Sequence, residues 1–124
     1  MRVRMKLWLE ENDEVLYGQG RQLLLEALRE TGSLAGAARR LKMSYRGAWG
    51  RLKASEERIG FKLVERSSEG RRAMQLTPEA EELIKRFAQF RARADKFQAK
   101  IQKELFADIA KMHKAHKKSK KRGK

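Results

Sequence analysis

Apolar and polar residues alternate strictly at the start of the chain. In an extended backbone Val3, Met5, Leu7 and Leu9 point one way and Arg4, Lys6 and Trp8 the other. This period of two predicts a half-buried strand. Glu11-Asn12-Asp13 reads as a turn, after which Val15, Leu16 and Tyr17 return antiparallel until Gly18-Gln19-Gly20 breaks the pattern and opens a helix. Over residues 21–30 the period becomes helical, with Leu24, Ala27 and Leu28 on one face, Leu23 at its edge, and Gly32 where a left-handed cap belongs. Ser33 then caps a second helix that carries Leu34, Ala37, Ala38 and Leu41 at i, i+3, i+4 and i+7. A third helix is predicted from an N-cap at Ser44, with Ala48, Trp49 and Leu52 inward and Arg46, Gly47, Gly50, Arg51 and Ala54 outward. Gly60 ends it. Residues 62–66 and 73–76 form two short strands around Ser67-Ser68-Glu69-Gly70-Arg71-Arg72, a hairpin with an arginine-bearing tip.

Thr77-Pro78-Glu79 is a helix start. A hydroxyl cap precedes proline at the first helical position, and Glu79, Glu81 and Glu82 face the positive end of the dipole. Leu83, Phe87, Phe90, Ala94, Phe97 and Ile101 follow at alternating steps of four and three, the rhythm of a coiled-coil seam, and Leu105 continues slightly out of phase. A helix from 78 to about 112 is ~50 Å long, more than so small a domain covers with its own core. A second copy of the chain is the expected cover. Beyond Met112 the lysine-rich stretch has no apolar face and is expected to be disordered until it meets an anion.

Composition sharpens this picture. The 124 residues leave room for one domain and an appended helix, and a net charge of +15 suggests a polyanionic partner. Residues 111–124 hold eight of the bases and no acid, which leaves 23 bases against 16 acids in the body. With no cysteine, disulfides, thiolate metal sites and cysteine nucleophiles are excluded, and a reducing cytosol fits. No apolar run approaches the ~20 residues needed to cross a bilayer, and the expectation is a cytoplasmic protein without a membrane partner.

Strand, three helices and a two-stranded wing make up a winged helix-turn-helix, in which one helix enters the major groove and the wing touches the duplex beside it. Arg46 is the leading candidate for base readout, because a guanidinium pairs bidentately with guanine, with Tyr45 and Arg51 as neighbours that reach phosphate or base. Ser44 serves the cap or a phosphate, and Gly47 and Gly50 complete the outer face. Arg66, Arg71 and Arg72 are the candidate wing contacts. Trp49 is read as core. His113 and His116 stand at i, i+3 among lysines that repel cations, without a third ligand, so no metal or cofactor is expected. No phosphate-cradling glycine loop or nucleophile-base-acid set is found, and the chain is not read as an enzyme.

With those residues placed, the chain resembles the N-terminal domain of ModE-type molybdate-dependent regulators, itself similar to the LysR-type DNA-binding domain. The likeness covers roughly residues 5–101. It is carried by Glu30-Thr31-Gly32-Ser33-Leu34 with Ala37-Ala38, by Met43-Ser44-Tyr45-Arg46-Gly47-Ala48-Trp49, and by Leu63-Val64-Glu65-Arg66 leading through the wing to Leu76-Thr77-Pro78. It implies a dimer made through the first and the long fourth helix, with one recognition helix in each half of a palindromic operator. Ser44, Tyr45 and Arg46 match the family's recognition-helix positions, and Arg71 and Arg72 its wing. Ala80 stands where a glycine is common, and Gly50 replaces a frequent acid. ModE-type proteins carry oxyanion-binding domains C-terminal to this region, where this chain has more helix and a lysine tail, so molybdate sensing is not supported.

The expected architecture is therefore mainly α with small β. Residues 1–77 form the winged helix-turn-helix, 78–112 the long dimerisation helix, and 113–124 the basic tail. The expected function is a homodimeric, sequence-specific transcriptional regulator that binds double-stranded DNA. The alternatives are a weakly specific architectural nucleic-acid binder and a protein-interaction module that uses the long helix.

Overall fold

Turn chemistry sets the element boundaries. A computed structural model describes residues 1–123. Asn12 and Asp13 both have positive φ, 51° and 64°, the conformation that a two-residue hairpin of the right twist demands. They join β1 (Trp8–Glu11) to β2 (Glu14–Gly18). The antiparallel register slips between Leu9 and Glu10, a bulge that leaves Leu16 without a partner. Helix α1 (Gln19–Thr31) ends on Gly32 at φ 74°, whose N–H bonds to the Leu28 carbonyl. Ser33 accepts a hydrogen bond from Gly36 N and starts α2 (Leu34–Arg40), and Ser44 does the same for Gly47 N at the head of α3 (Tyr45–Ile59). Gly60, at φ 88°, closes α3. Strands β3 (Val64–Arg66) and β4 (Met74–Leu76) pair in register as the wing. Helix α4 (Pro78–Arg122) follows from Thr77, whose hydroxyl accepts from Ala80 N and donates to the Lys62 carbonyl.

The chain divides into two compact units, Leu7–Gln89 and a second of Met1–Lys6 with the chain from Phe90 onward. The first holds the core. Leu24, Leu25 and Leu28 of α1 meet Leu34, Ala37 and Ala38 of α2, Ala48 and Leu52 of α3, Leu63 and Val64 at the wing root, and Ala80, Ile84 and Phe87 of α4. Small residues in α2 permit the close approach: a Cβ on Gly36 would stand 2.8 Å from the Thr31 Cβ. Tyr17 is fully buried, edge-on to Phe87 at 5.1 Å, and its hydroxyl donates to Gln22, whose amide donates to the Ile84 carbonyl. One polar relay thus ties β2, α1 and α4 together inside an apolar core, every member satisfied. Burial, and then the nearby Glu26, push the Tyr17 hydroxyl well above its ordinary range, so it remains a donor.

The second unit departs from expectation. The alternating residues 3–7 do not form a strand: β1 begins only at Trp8 and is exposed throughout. The segment before it runs along the α4 side chains Gln98 and Gln102. Val3 N donates to Gln102 Oε1 at 3.0 Å, Gln98 Nε2 donates to the Val3 carbonyl, and Gln102 Nε2 to that of Met1. The backbone groups that a sheet would have satisfied are met by two glutamines one helical turn apart. The end of the chain differs as well. Helix α4 does not stop near Met112 but runs to Arg122. No proline or glycine interrupts residues 113–122, alanine and lysine are good helix formers, and the basic last turn suits the negative end of the dipole.

Candidate nucleic-acid interface

The turn between α2 and α3 fixes the presentation of the third helix. Lys42 takes a left-handed conformation, φ 56°, and the N–H of Met43 returns to the Ala38 carbonyl. Ser44 Oγ then receives Gly47 N at 2.9 Å, so its hydroxyl is committed to the cap. Gly47 belongs to this turn, where a Cβ would lie 3.0 Å from Ser44 Oγ. Below it Ala48, Leu52, Ser55 and Glu56 face inward. Tyr45, Arg46, Gly50 and Arg51 are exposed, and no acid occurs in α3 before Glu56. Nothing lies within 4 Å of a Cβ built on Gly50, so the middle of this face is bare backbone. Among the described residues Arg46 and Arg51 form no ion pair.

Trp49 corrects the expected inward face. It is 39% exposed, and the Lys53 ammonium sits 4.5 Å from its ring centroid. The buried stripe at 48, 52, 55 and 56 leaves position 49 at its edge, about 100° beyond Ala48. The indole thus joins Tyr45 on the accessible side of the helix, a cation resting on it.

Glu56 is the residue that the sequence did not single out. Its carboxylate is 9% exposed and accepts the N–H groups of Leu63 at 2.8 Å and Val64 at 3.4 Å, with Lys53 Nζ at 3.3 Å. Burial opposes its charge, but these donors outweigh it and hold the carboxyl below the usual range. Through this residue α3 is fastened to the root of the wing. Further out, Ser67 N bonds to the Ala73 carbonyl and Gln75 reaches Glu65 across the strands. Arg66, Arg71 and Arg72 are exposed and form no ion pair among the described residues.

The candidate dimer residues fall into two groups. Phe87 is 4% exposed inside the first unit and Leu83 is packed against the same core. Both are thus engaged within one chain, which corrects their assignment to a seam. Ile84, which the heptad spacing passed over, is buried beside them. Ala94 and Ile101 are half-buried, while Phe90 is 59% and Phe97 66% exposed, and Leu105, Phe106, Ile109 and Met112 are exposed beyond them.

A further basic cluster joins α1 to α3. Arg21 Nε donates to Ser55 Oγ at 2.6 Å, and Ser55 donates to the Arg51 carbonyl. Burial and then the like charges of Arg51 and Arg58 lower the Arg21 guanidinium from its ordinary range. Only Arg51 of these was among the candidates, because Arg21 and Arg58 are brought together by tertiary packing rather than by spacing. Among the described residues no group of three metal-ligating side chains occurs, and no helix is long and apolar enough to cross a membrane.

No curated protein sequence resembles the chain at a significant level. Solved structures do. The DNA-binding domain of CbnR, in a complex with DNA, is 31% identical over 67% of this chain and 98% of its own length, with a TM-score of 0.51. ArgP from Mycobacterium tuberculosis is 28% identical over 68% of this chain, with a TM-score of 0.50. OxyR from Corynebacterium glutamicum, at 23% identity over 66% of this chain and a TM-score of 0.50, shares the fold. The chain spans only 31% of that ArgP and 26% of that OxyR. Residues 22–81, from α1 to the first turn of α4, match the model of the bacterial regulatory helix-turn-helix proteins of the lysR family. By that match, and by its likeness to nearly the whole CbnR domain, the chain belongs to the lysR family of bacterial regulatory helix-turn-helix proteins.

Proposed function

We propose that this chain is a sequence-specific DNA-binding transcriptional regulator that acts as a homodimer on a palindromic operator. The observation that carries the reading is the exposed, acid-free first half of α3, held by a serine cap in a helix-turn-helix, with Arg46 on it forming no ion pair among the described residues. Such a helix presents donors to base edges while its basic surroundings hold the phosphates. Supporting it, the similar CbnR domain was solved bound to DNA.

In this reading Arg46 and Tyr45 face base edges, with Trp49 beside them, while Ser44 and Gly47 set the pitch of the helix. Arg66, Arg71 and Arg72 place the wing. The homodimer rests on Phe90, Ala94, Phe97 and Ile101, an apolar stripe on α4 whose two phenylalanines are left exposed and whose other two members are half-buried. The finer likeness to ModE-type regulators stays within this proposal, on the three runs that carry it, with the Ser44-to-Trp49 run the most specific, and molybdate sensing is not supported by this chain.

Selection of bound duplexes from a random pool tests the reading. A palindrome is expected to emerge, and Arg46→Ala to relax it at one position per half-site at a cost of about 1–3 kcal/mol. Enrichment of no motif would sink specific recognition and leave the architectural binder.

A further inference from the structure

Beside the recognition surface, the first unit carries a second basic feature. A pocket of about 260 Å³, partly open to solvent, lies where β2 runs into α1 against the C-terminal half of α3. Tyr17, Gly18, Gly20, Arg21, Ser55 and Arg58 are among its lining residues. Two arginines, Arg21 and Arg58, therefore line one small space.

Like charges gathered in this way destabilise the fold unless an anion answers them. Among the described residues no acid does so. Neither Arg21, Arg51 nor Arg58 forms an ion pair among the described residues, and the first turn of α1 has no acidic residue and no side-chain cap. Arg21 is also held rather than free. Ser55, 3% exposed, fixes Arg21 through Nε, and no described residue accepts a hydrogen bond from its terminal nitrogens. Gly20 adds no side chain to this lining, and a Cβ built on it would meet nothing within 4 Å.

Size narrows the class. Sites for drug-sized ligands run to ~300–1,000 Å³, and this pocket is smaller. Its donors, planar and doubly capable of bidentate pairing, match a tetrahedral oxyanion. We infer that Arg21 and Arg58 form a binding site for a phosphate-type oxyanion, separate from the face of α3 that carries Arg46. Ser55 and Arg58 lie 9 and 12 residues beyond Arg46 in the same helix, some ~14 to 18 Å along its axis. The anion is either free in solution or a backbone phosphate of a duplex lying across α3.

Isothermal titration of the full chain with inorganic phosphate, at constant ionic strength in chloride, tests the site, with duplex binding in phosphate-free buffer as the second arm. Arg58 is exposed, so Arg58→Gln is expected to fold, as circular dichroism verifies; Lys85→Gln, at an exposed position of α4 outside the binding surfaces, is the basic control. A free anion gives one saturable phosphate site, weakened about tenfold or more in Arg58→Gln, the size of one charge-assisted hydrogen bond. Arg58→Lys recovers part of it, Lys85→Gln leaves it intact, and duplex affinity is unmoved by Arg58→Gln. A duplex phosphate gives no saturable titration, but Arg58→Gln lowers the slope of log affinity against log salt by about 0.9. Phosphate that titrates equally weakly with both glutamine variants, together with an unchanged salt slope, overturns the inference.

Discussion

Glu56 shows what one side chain does when backbone donors converge on it. The carboxylate accepts two N–H groups at the root of the wing through one charged oxygen, and a glutamine in its place keeps an acceptor but loses the charge. Glu56→Gln is expected to lower the unfolding free energy by about 1.5–3 kcal/mol at pH 7, the range for hydrogen bonds to a charged group. Because the folded-state pKa is lowered, the contribution is present above the unfolded value of about 4.3 and is lost as pH falls through the lower folded one. Denaturant unfolding of both proteins should therefore show a gap at pH 7 that closes at strongly acid pH; a gap independent of pH would assign the loss to shape, not charge. Gly50 gives the opposite sign. With nothing near its absent side chain, Gly50→Ala is expected to stabilise the fold by about 0.5–1 kcal/mol in helix propensity. If bases or phosphates approach that bare backbone, the same variant binds duplex more weakly, so melting temperature and affinity move in opposite directions.

At the scale of elements, local chemistry was legible and long-range pairing was not. As caps, Ser33, Ser44, Thr77, Gly32 and Gly60 each act within four residues of themselves, and the helix ends they predict are those observed. The wing was equally plain, since a turn rich in serine, glycine and arginine separates its two strands. Met1 and Val3 defeated the same method because their partners, Gln98 and Gln102, stand at the far end of the sequence and are not strands at all. Trp49 misled by residue type: an indole at the edge of the inner stripe reads as core until the neighbouring Lys53 is seen covering it from outside. Within α4 the heptad spacing located the apolar stripe but could not tell which of its members a single chain already buries. Leu83 and Phe87 serve the core, so the expected dimer depends on Phe90 and Phe97. Phe90→Asp with Phe97→Asp is expected to halve the mass seen by light scattering without changing the melting profile of the first unit. An unchanged dimer would place the interface elsewhere.

The whole molecule is dominated by its charge, and that charge is unevenly distributed. Residues 113–122 continue α4 as a helix rich in lysine, with every side chain exposed, while Arg46 and the wing arginines belong to the first unit. The two sets bear on different quantities. A lysine that neutralises a phosphate releases counterions whatever the sequence, whereas an arginine on a base edge discriminates. Truncation after Met112 is therefore expected to weaken all duplexes alike, with the slope of log affinity against log salt falling by about 0.9 for each phosphate that the shortened chain no longer neutralises. The ratio between operator and random duplex should hold constant. Since seven of the bases lie in residues 113–124, a slope change of several units marks a helix that lies along the duplex, and a change near zero one that points away. Should truncation abolish the preference for operator instead, α4 would contribute to recognition itself, and the division of labour between basic end and recognition helix would fail.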